Sequence, residues 1–333
     1  MQLKKTGQFA TALVFAVTIF LGAFLLFQVQ PLVGRFLLPW FGGSPEVWTT
    51  CMLFFQVFLL AGYAYAHWLM KLKRVRMQVV LHIGLLATAL LFLPILPKES
   101  FKPTPDAIPV VQILLICSLT VGVPYLLLAA SSPLVQAWFS RAFPHRNPYR
   151  LYALSNTGSL LALVSFPFVF EPLLSRVQAA NLWSIAFAVF AVVCAVAVWL
   201  GKNHSAPAAA PKHPVAKKES PKPSASLWWL WLALPAAASV QLLAVTNKIT
   251  QDIAVIPFLW ILPLALYLLS FIICFEHQRW YQRWLWIPLY IVGIAGVIYA
   301  RLTEQQGIDI TMLIGLYVFM LFTCCMVCHG ELY

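Results

Sequence analysis

Acidic side chains are scarce in this chain. Ten Asp and Glu stand against 22 Lys and Arg, and charged residues make up 10% of the 333 positions, where a soluble domain carries about 25%. A compact soluble fold needs a polar shell, and this sequence has too little polar material to build one. That excludes a soluble globular enzyme. The 62% hydrophobic content equally excludes a disordered chain. No strand is followed by a Gly-x-Gly-x-x-Gly turn that could cradle a nucleotide-type cofactor. His67, His82, His145, His204, His213 and His277 are scattered, and no pair has the close spacing of a metal motif. Neither a nucleophile–base pair nor paired catalytic carboxylates can be picked out. No cofactor, no metal and no catalytic residue is therefore expected. The seven cysteines, Cys51, Cys117, Cys194, Cys274, Cys324, Cys325 and Cys328, lie in or beside apolar runs. They lack the even spacing of a secreted disulfide framework and read mostly as small helix-packing residues.

Long apolar runs are abundant. A crossing of a bilayer takes about 20 residues, and the sequence predicts ten: Phe9–Val29, Trp48–Met70, Met77–Leu96, Pro109–Phe139, Tyr149–Leu174, Ala179–Leu200, Leu227–Thr246, Ile253–Phe275, Leu285–Ala300 and Thr311–Cys328. The stretch Lys202–Ala225 is rich in Pro, Ala, Ser and Lys and has no apolar period, so it reads as a flexible basic linker. The expected fold is an all-α polytopic membrane protein with a six-helix half at 1–201, a linker at 202–226 and an incomplete four-helix half at 227–333. The first run is too long for a signal peptide, and no small-residue cleavage site follows it.

Charge orients the spans. With the N-terminus inside, 16 Lys and Arg fall on the inner side and six on the outer, as cytoplasmic loops favour. The net charge of +12 is then a topological excess, so the expected partner is the lipid bilayer and not nucleic acid. The expected location is a bacterial inner membrane, crossed many times.

Six helices, a basic linker and a second helix set resemble the layout of the major facilitator superfamily, MFS, in which two six-helix halves pack around a central path. The segment Gln28-Val-Gln-Pro-Leu-Val-Gly-Arg-Phe-Leu-Leu-Pro-Trp-Phe-Gly-Gly-Ser-Pro-Glu-Val-Trp48 and its continuation through Gln56 to Gly62-Tyr-Ala-Tyr-Ala-His67 are distinctive. So are Ser132-Pro-Leu-Val-Gln-Ala-Trp138, Tyr152-Ala-Leu-Ser-Asn-Thr-Gly-Ser-Leu-Leu-Ala162 with Glu171-Pro-Leu-Leu174, and Thr246–Phe275. Together they resemble the membrane region of the bacterial fused MFS/spermidine synthase-like family. The resemblance implies an MFS-like bundle and, in relatives, two more helices and a soluble aminopropyltransferase-like domain. The sequence ends at Cys-His-Gly-Glu-Leu-Tyr333; a cut reading frame is the expectation, a native ten-helix protein the alternative. Two functions follow. One is transport of a small cationic or polyamine-like solute. The other is a non-transporting platform for an aminopropyltransferase-like partner.

Six residues are candidates for a polar cavity: Gln28, Gln30, Arg35, Asn156, Glu171 and Asp252. Amides and charges at membrane depth need protein or water as partners. For Gln28 and Gln30 the alternative is hydrogen bonding between helices. Arg35 can instead snorkel to outer head groups, with Glu46, Glu171 or Asp252 as partner. Asn156 shares a stripe with Ser155, Gly158 and Ser159, which fits close helix packing as well. Asp252 is placed in a short turn, Asn247–Asp252, at the start of the next helix, where it can cap. Trp48 is placed in the aromatic belt. Cys325-Met-Val-Cys328-His329 matches a haem-attachment pattern, but the expected cytoplasmic position speaks against attachment.

Overall fold

The computed structural model describes residues 2–103, 108–144, 149–202, 224–252, 257–303 and 309–332. The expected linker falls outside them, apart from its first and last residues. Among the described residues there is no strand, and nine helices are long and apolar enough to cross a membrane. A shorter apolar helix, Ile261–Glu276, follows the seventh. The chain divides into two compact units, Met1–Ala206 and Pro207–Tyr333.

In unit 1, α1 runs from Gln2 to Phe41 without a break. Its 40 residues span about 60 Å, roughly twice the hydrocarbon thickness of a bilayer. The expected end at Val29 is thus overrun by twelve residues. Pro31 and Pro39 lie inside the helix. A proline forfeits one backbone hydrogen bond, which a helix packed on several sides can absorb. Gly42 then takes a φ of 84°, open to glycine at no steric cost, and turns the chain into α2 (Pro45–Met70), with Pro45 in its first turn. α3 (Val75–Ala89) ends in the tight turn Leu90–Phe92.

The fourth helix long and apolar enough to cross is α4 (Pro109–Cys117), a widened π turn at Ser118–Gly122, and α5 (Val123–Ala142). The fifth is α6 (Tyr149–Ser165), a second π turn at Phe166–Phe170, and the single turn α7 (Glu171–Leu173). α8 (Arg176–Lys202) is the sixth.

α1 is the axis of this unit and packs against α2, α5, α6 and α8. Lipid is as apolar as leucine, so close packing and hydrogen bonds hold helices together, rather than expulsion of water. The contacts fit that rule. A Cβ on Gly158 would lie 2.8 Å from the Phe20 carbonyl oxygen, and one on Gly62 would lie 2.7 Å from that of Leu126. The Trp183 indole donates to the Leu25 carbonyl at 3.0 Å. Trp48 is buried, together with Cys51, Met52 and Phe55. That spacing is one helical stripe, so the expected belt tryptophan faces inward.

Unit 2 contains α9 (Ala225–Asp252), α10 (Pro257–Glu276), α11 (Arg283–Leu302) and α12 (Ile310–Gly330). α12 packs against the other three. Its Tyr317, Leu321, Cys324, Cys325 and Cys328 meet Ala238, Leu242, Val245 and Ile249 of α9 in one core. The expected turn Asn247–Asp252 is helical and belongs to α9. Asp252 therefore ends a helix rather than starting one. Thr250 donates its hydroxyl back to the Thr246 carbonyl at 2.9 Å, so this polar side chain is satisfied within the helix.

Candidate functional site

Gln28 and Gln30 are both buried on α1. Two positions apart on a helix is about 200° around its axis, so they leave α1 on opposite sides. Gln30 donates to the Tyr125 hydroxyl of α5 at 3.4 Å, an interhelical bond of the kind that joins helices in lipid.

Arg35 reaches across to the end of α7. Its guanidinium donates to the Leu174 carbonyl through both terminal nitrogens at 3.3 Å, and to the Glu171 carbonyl at 3.5 Å. The structure does bring Arg35 and Glu171 together, but through the peptide and not the carboxylate. A cation at the carbonyl end of a helix satisfies oxygens the helix leaves open. Arg176 adds a contact, with its guanidinium carbon 5.8 Å from the Phe36 ring centroid. Asp252 belongs to unit 2, away from this set in the chain.

Asn156 is half-buried on α6. Beside it runs a partly exposed polar chain. The Gln136 amide donates to the Ser132 hydroxyl at 3.2 Å, and that hydroxyl lies 3.4 Å from the Ser155 hydroxyl. Ser159, one turn on, is buried and bonds back to the Ser155 carbonyl.

A second polar seam joins α3 to α5, centred on Gln78 and His82. Gln78 is 1% exposed. Its side-chain oxygen accepts from the Arg141 guanidinium at 2.9 Å and the Trp138 indole at 3.2 Å. Its amide nitrogen donates to the Leu72 carbonyl at 2.8 Å and that of Met70 at 3.4 Å. All four hydrogen-bonding positions of the amide are used. One turn along, His82 Nε2 lies 3.0 Å from the Ser131 hydroxyl. That hydroxyl already donates to the Leu127 carbonyl at 2.6 Å, so His82 Nε2 carries the proton and Nδ1 is left with a lone pair. Among the described residues His82 Nδ1 has no hydrogen-bond partner. The ring stacks on Tyr65, with centroids 6.0 Å apart. Gln78 and His82 are four residues apart and Ser131 and Trp138 seven, so each pair lies on one helical stripe. That spacing is the trace the seam leaves in the sequence, and it differs from the close histidine pairs of a metal motif.

Unit 2 repeats the histidine arrangement with other residues. Ser270 donates to the Tyr267 carbonyl at 2.8 Å and lies 3.1 Å from His329 Nδ1. The imidazole stands edge-on to Tyr267 and Phe271. Cys325 and Cys328 are buried in α12, so the haem-like pattern is packed helix. Beyond the end of α12, Glu331 accepts both the Arg283 guanidinium and the Tyr281 hydroxyl, the latter at 2.6 Å. Arg283 holds the carboxyl below its usual range. Burial, and then the adjoining carboxylate, push the Tyr281 phenol up.

No group of three or more His, Cys, Asp or Glu that could hold a metal occurs among the described residues. Comparison with known protein families, curated proteins and solved structures gives no match to this chain.

Proposed function

We propose that this protein is an MFS-like carrier of a small solute, with unit 1 supplying one wall of the path. The observation that carries the reading is the partly exposed polar chain of Gln136, Ser132 and Ser155, with half-buried Asn156 beside it. Polar groups along apolar crossings do not face lipid; they face protein, water or cargo. Small hydroxyls and amides suit a solute recognised by hydrogen bonds. The outer-side acids Glu46 and Glu171 favour a cationic or polyamine-like cargo. The basic-residue split supports an inner membrane with the N-terminus cytoplasmic. The platform reading rests on the family motifs, of which Ser132–Trp138 and Tyr152–Ala162 are examples.

The experiment is uptake of radiolabelled spermidine by proteoliposomes of the full chain. Uptake should exceed that of protein-free vesicles and fall at least tenfold in Asn156→Leu and Gln136→Leu, with insertion unchanged. Wild-type uptake no higher than protein-free vesicles would reject the polyamine carrier.

A further inference from the structure

We propose that unit 2 holds one soft monovalent metal ion, of the class of copper(I), between Cys274 of α10 and Met326 and His329 of α12. All three side chains are buried. The Cys274 thiol lies 3.7 Å from the Met326 sulfur and donates to the Met326 carbonyl at 3.6 Å. A metal–sulfur bond is about 2.3 Å long, which puts two sulfurs of a three-coordinate site about 4 Å apart. The two sulfurs are therefore already close to ligating separation. This donor set differs from a cluster of three His, Cys, Asp or Glu, because its second sulfur is a thioether.

His329 is the independent observation that points to a ligand. Ser270 spends its proton on the Tyr267 carbonyl at 2.8 Å, so its oxygen accepts from His329 Nδ1 at 3.1 Å. Nε2 then keeps its lone pair, and that nitrogen has no hydrogen-bond partner among the described residues. A histidine whose other nitrogen donates to a fixed oxygen is oriented as metal-bound imidazoles are. Ser270 and Cys274 are four apart on α10, and Met326 and His329 three apart on α12, so each pair shares a helix face. The contacts Ser270–His329 and Cys274–Met326 are neighbouring rungs of one seam.

The donors select the ion. Thiolate and thioether are soft ligands and favour copper(I). On binding, the Cys274 S–H bond breaks, a sulfur–metal bond forms and the proton leaves to water. Neither metal nor sulfur changes oxidation state. One thiolate and one monovalent ion make a neutral complex, which an apolar seam holds at less cost than a charged one. A divalent ion on the same donors would leave a buried positive charge. Cys274 lies in the last turn of α10, and Met326 one turn before the end of α12, so a bare ion entering from the helix ends has a short path. The site does not rest on the carrier reading, since it uses no residue of unit 1.

Anaerobic titration of the full chain in lipid nanodiscs with copper(I), against the competing chelator bicinchoninate, tests it. One copper(I) should bind per chain, and X-ray absorption should show two sulfurs and one nitrogen around it. Met326→Leu nearly conserves volume and should weaken binding roughly tenfold or more, as should Cys274→Ser. Ser270→Ala removes the oxygen that orients the imidazole and should cost about 10–100-fold. Cys324→Ala with Cys328→Ala removes two other buried thiols of α12 and should leave the affinity unchanged. No copper(I) on the wild type, full affinity in Met326→Leu, loss of copper from the Cys324/Cys328 variant, or zinc(II) bound as tightly as copper(I) would each overturn the site.

Discussion

The side-chain oxygen of Gln78 on α3 accepts a hydrogen bond from Arg141, 63 residues later at the end of α5, at 2.9 Å. The same oxygen accepts from Trp138, so one buried amide organises both helix ends.

Replacing Gln78 by Leu removes every one of these bonds and leaves Trp138, Arg141 and the Leu72 carbonyl short of partners. Of these Trp138 is buried, and its stranded indole N–H costs about 1–3 kcal/mol; the exposed Arg141 can turn to water. Gln78→Glu still accepts from Arg141 and Trp138 but cannot donate to Leu72. Unfolding midpoints in detergent should therefore rank wild type above Gln78→Glu, and Gln78→Glu above Gln78→Leu. Equal midpoints for wild type and Gln78→Leu would refute the role.

Gly158 and Gly84 should respond to alanine with opposite signs. A Cβ at Gly158 meets the Phe20 backbone at 2.8 Å, whereas nothing lies within 4 Å of one at Gly84. Gly158→Ala forces α6 away from α1, an overpacking cost of about 1–3 kcal/mol. Gly84→Ala gains helix propensity, about 0.5–1 kcal/mol. Thermal unfolding of the two variants side by side is the measurement.

Glu331 makes its contact with Arg283 and Tyr281 sensitive to acid. Its folded carboxyl titrates below its ordinary value because Arg283 donates to it. A lowered folded value means that the stabilisation is complete above the unfolded pKa, about 4.3. It is lost as pH falls through the folded value. Wild type should exceed Glu331→Gln in stability at neutral pH, and the gap should close as pH falls below 4.3. A gap that persists at acid pH would show that the carboxylate charge is not its source.

The Cys325–Cys328–His329 pattern should not take up haem. Thioether bonds need both thiols accessible, and here they are buried within α12 against α9. Co-expression with the maturation machinery and a haem stain on a denaturing gel decides it. A stained band at the 37.4 kDa chain mass would contradict the expectation.

The crossings of unit 1 were legible because each is an apolar run bounded by charge or proline. Their interruptions were not. Pro31 reads as a stop, yet α1 continues past it to Phe41. Asn247–Asp252 reads as a turn because five of its six positions are polar or charged, yet a helix can satisfy a hydroxyl such as that of Thr250 by itself. Arg35 was recognisable as a charge needing a partner, but a carboxylate was the natural guess. The carbonyl end of α7 depends on where another helix stops, and no local pattern records that. Gln78 and His82 did leave a trace, four residues apart on an apolar run. What they meet, Ser131 and Trp138, lies across some fifty intervening residues and becomes visible only once α3 and α5 are side by side.

The π turn at Ser118–Gly122 sets the phase of everything after it. A turn of this kind amounts to one extra residue in the helix, and one residue is about 100° of rotation. With an ordinary turn there, α5 would present a different face to its neighbours. Tyr125 would swing off Gln30, and Ser131 and Trp138 would swing off His82 and Gln78. The polar contacts of α5 to α1 and to α3 are therefore indexed by a single inserted residue lying upstream of them all.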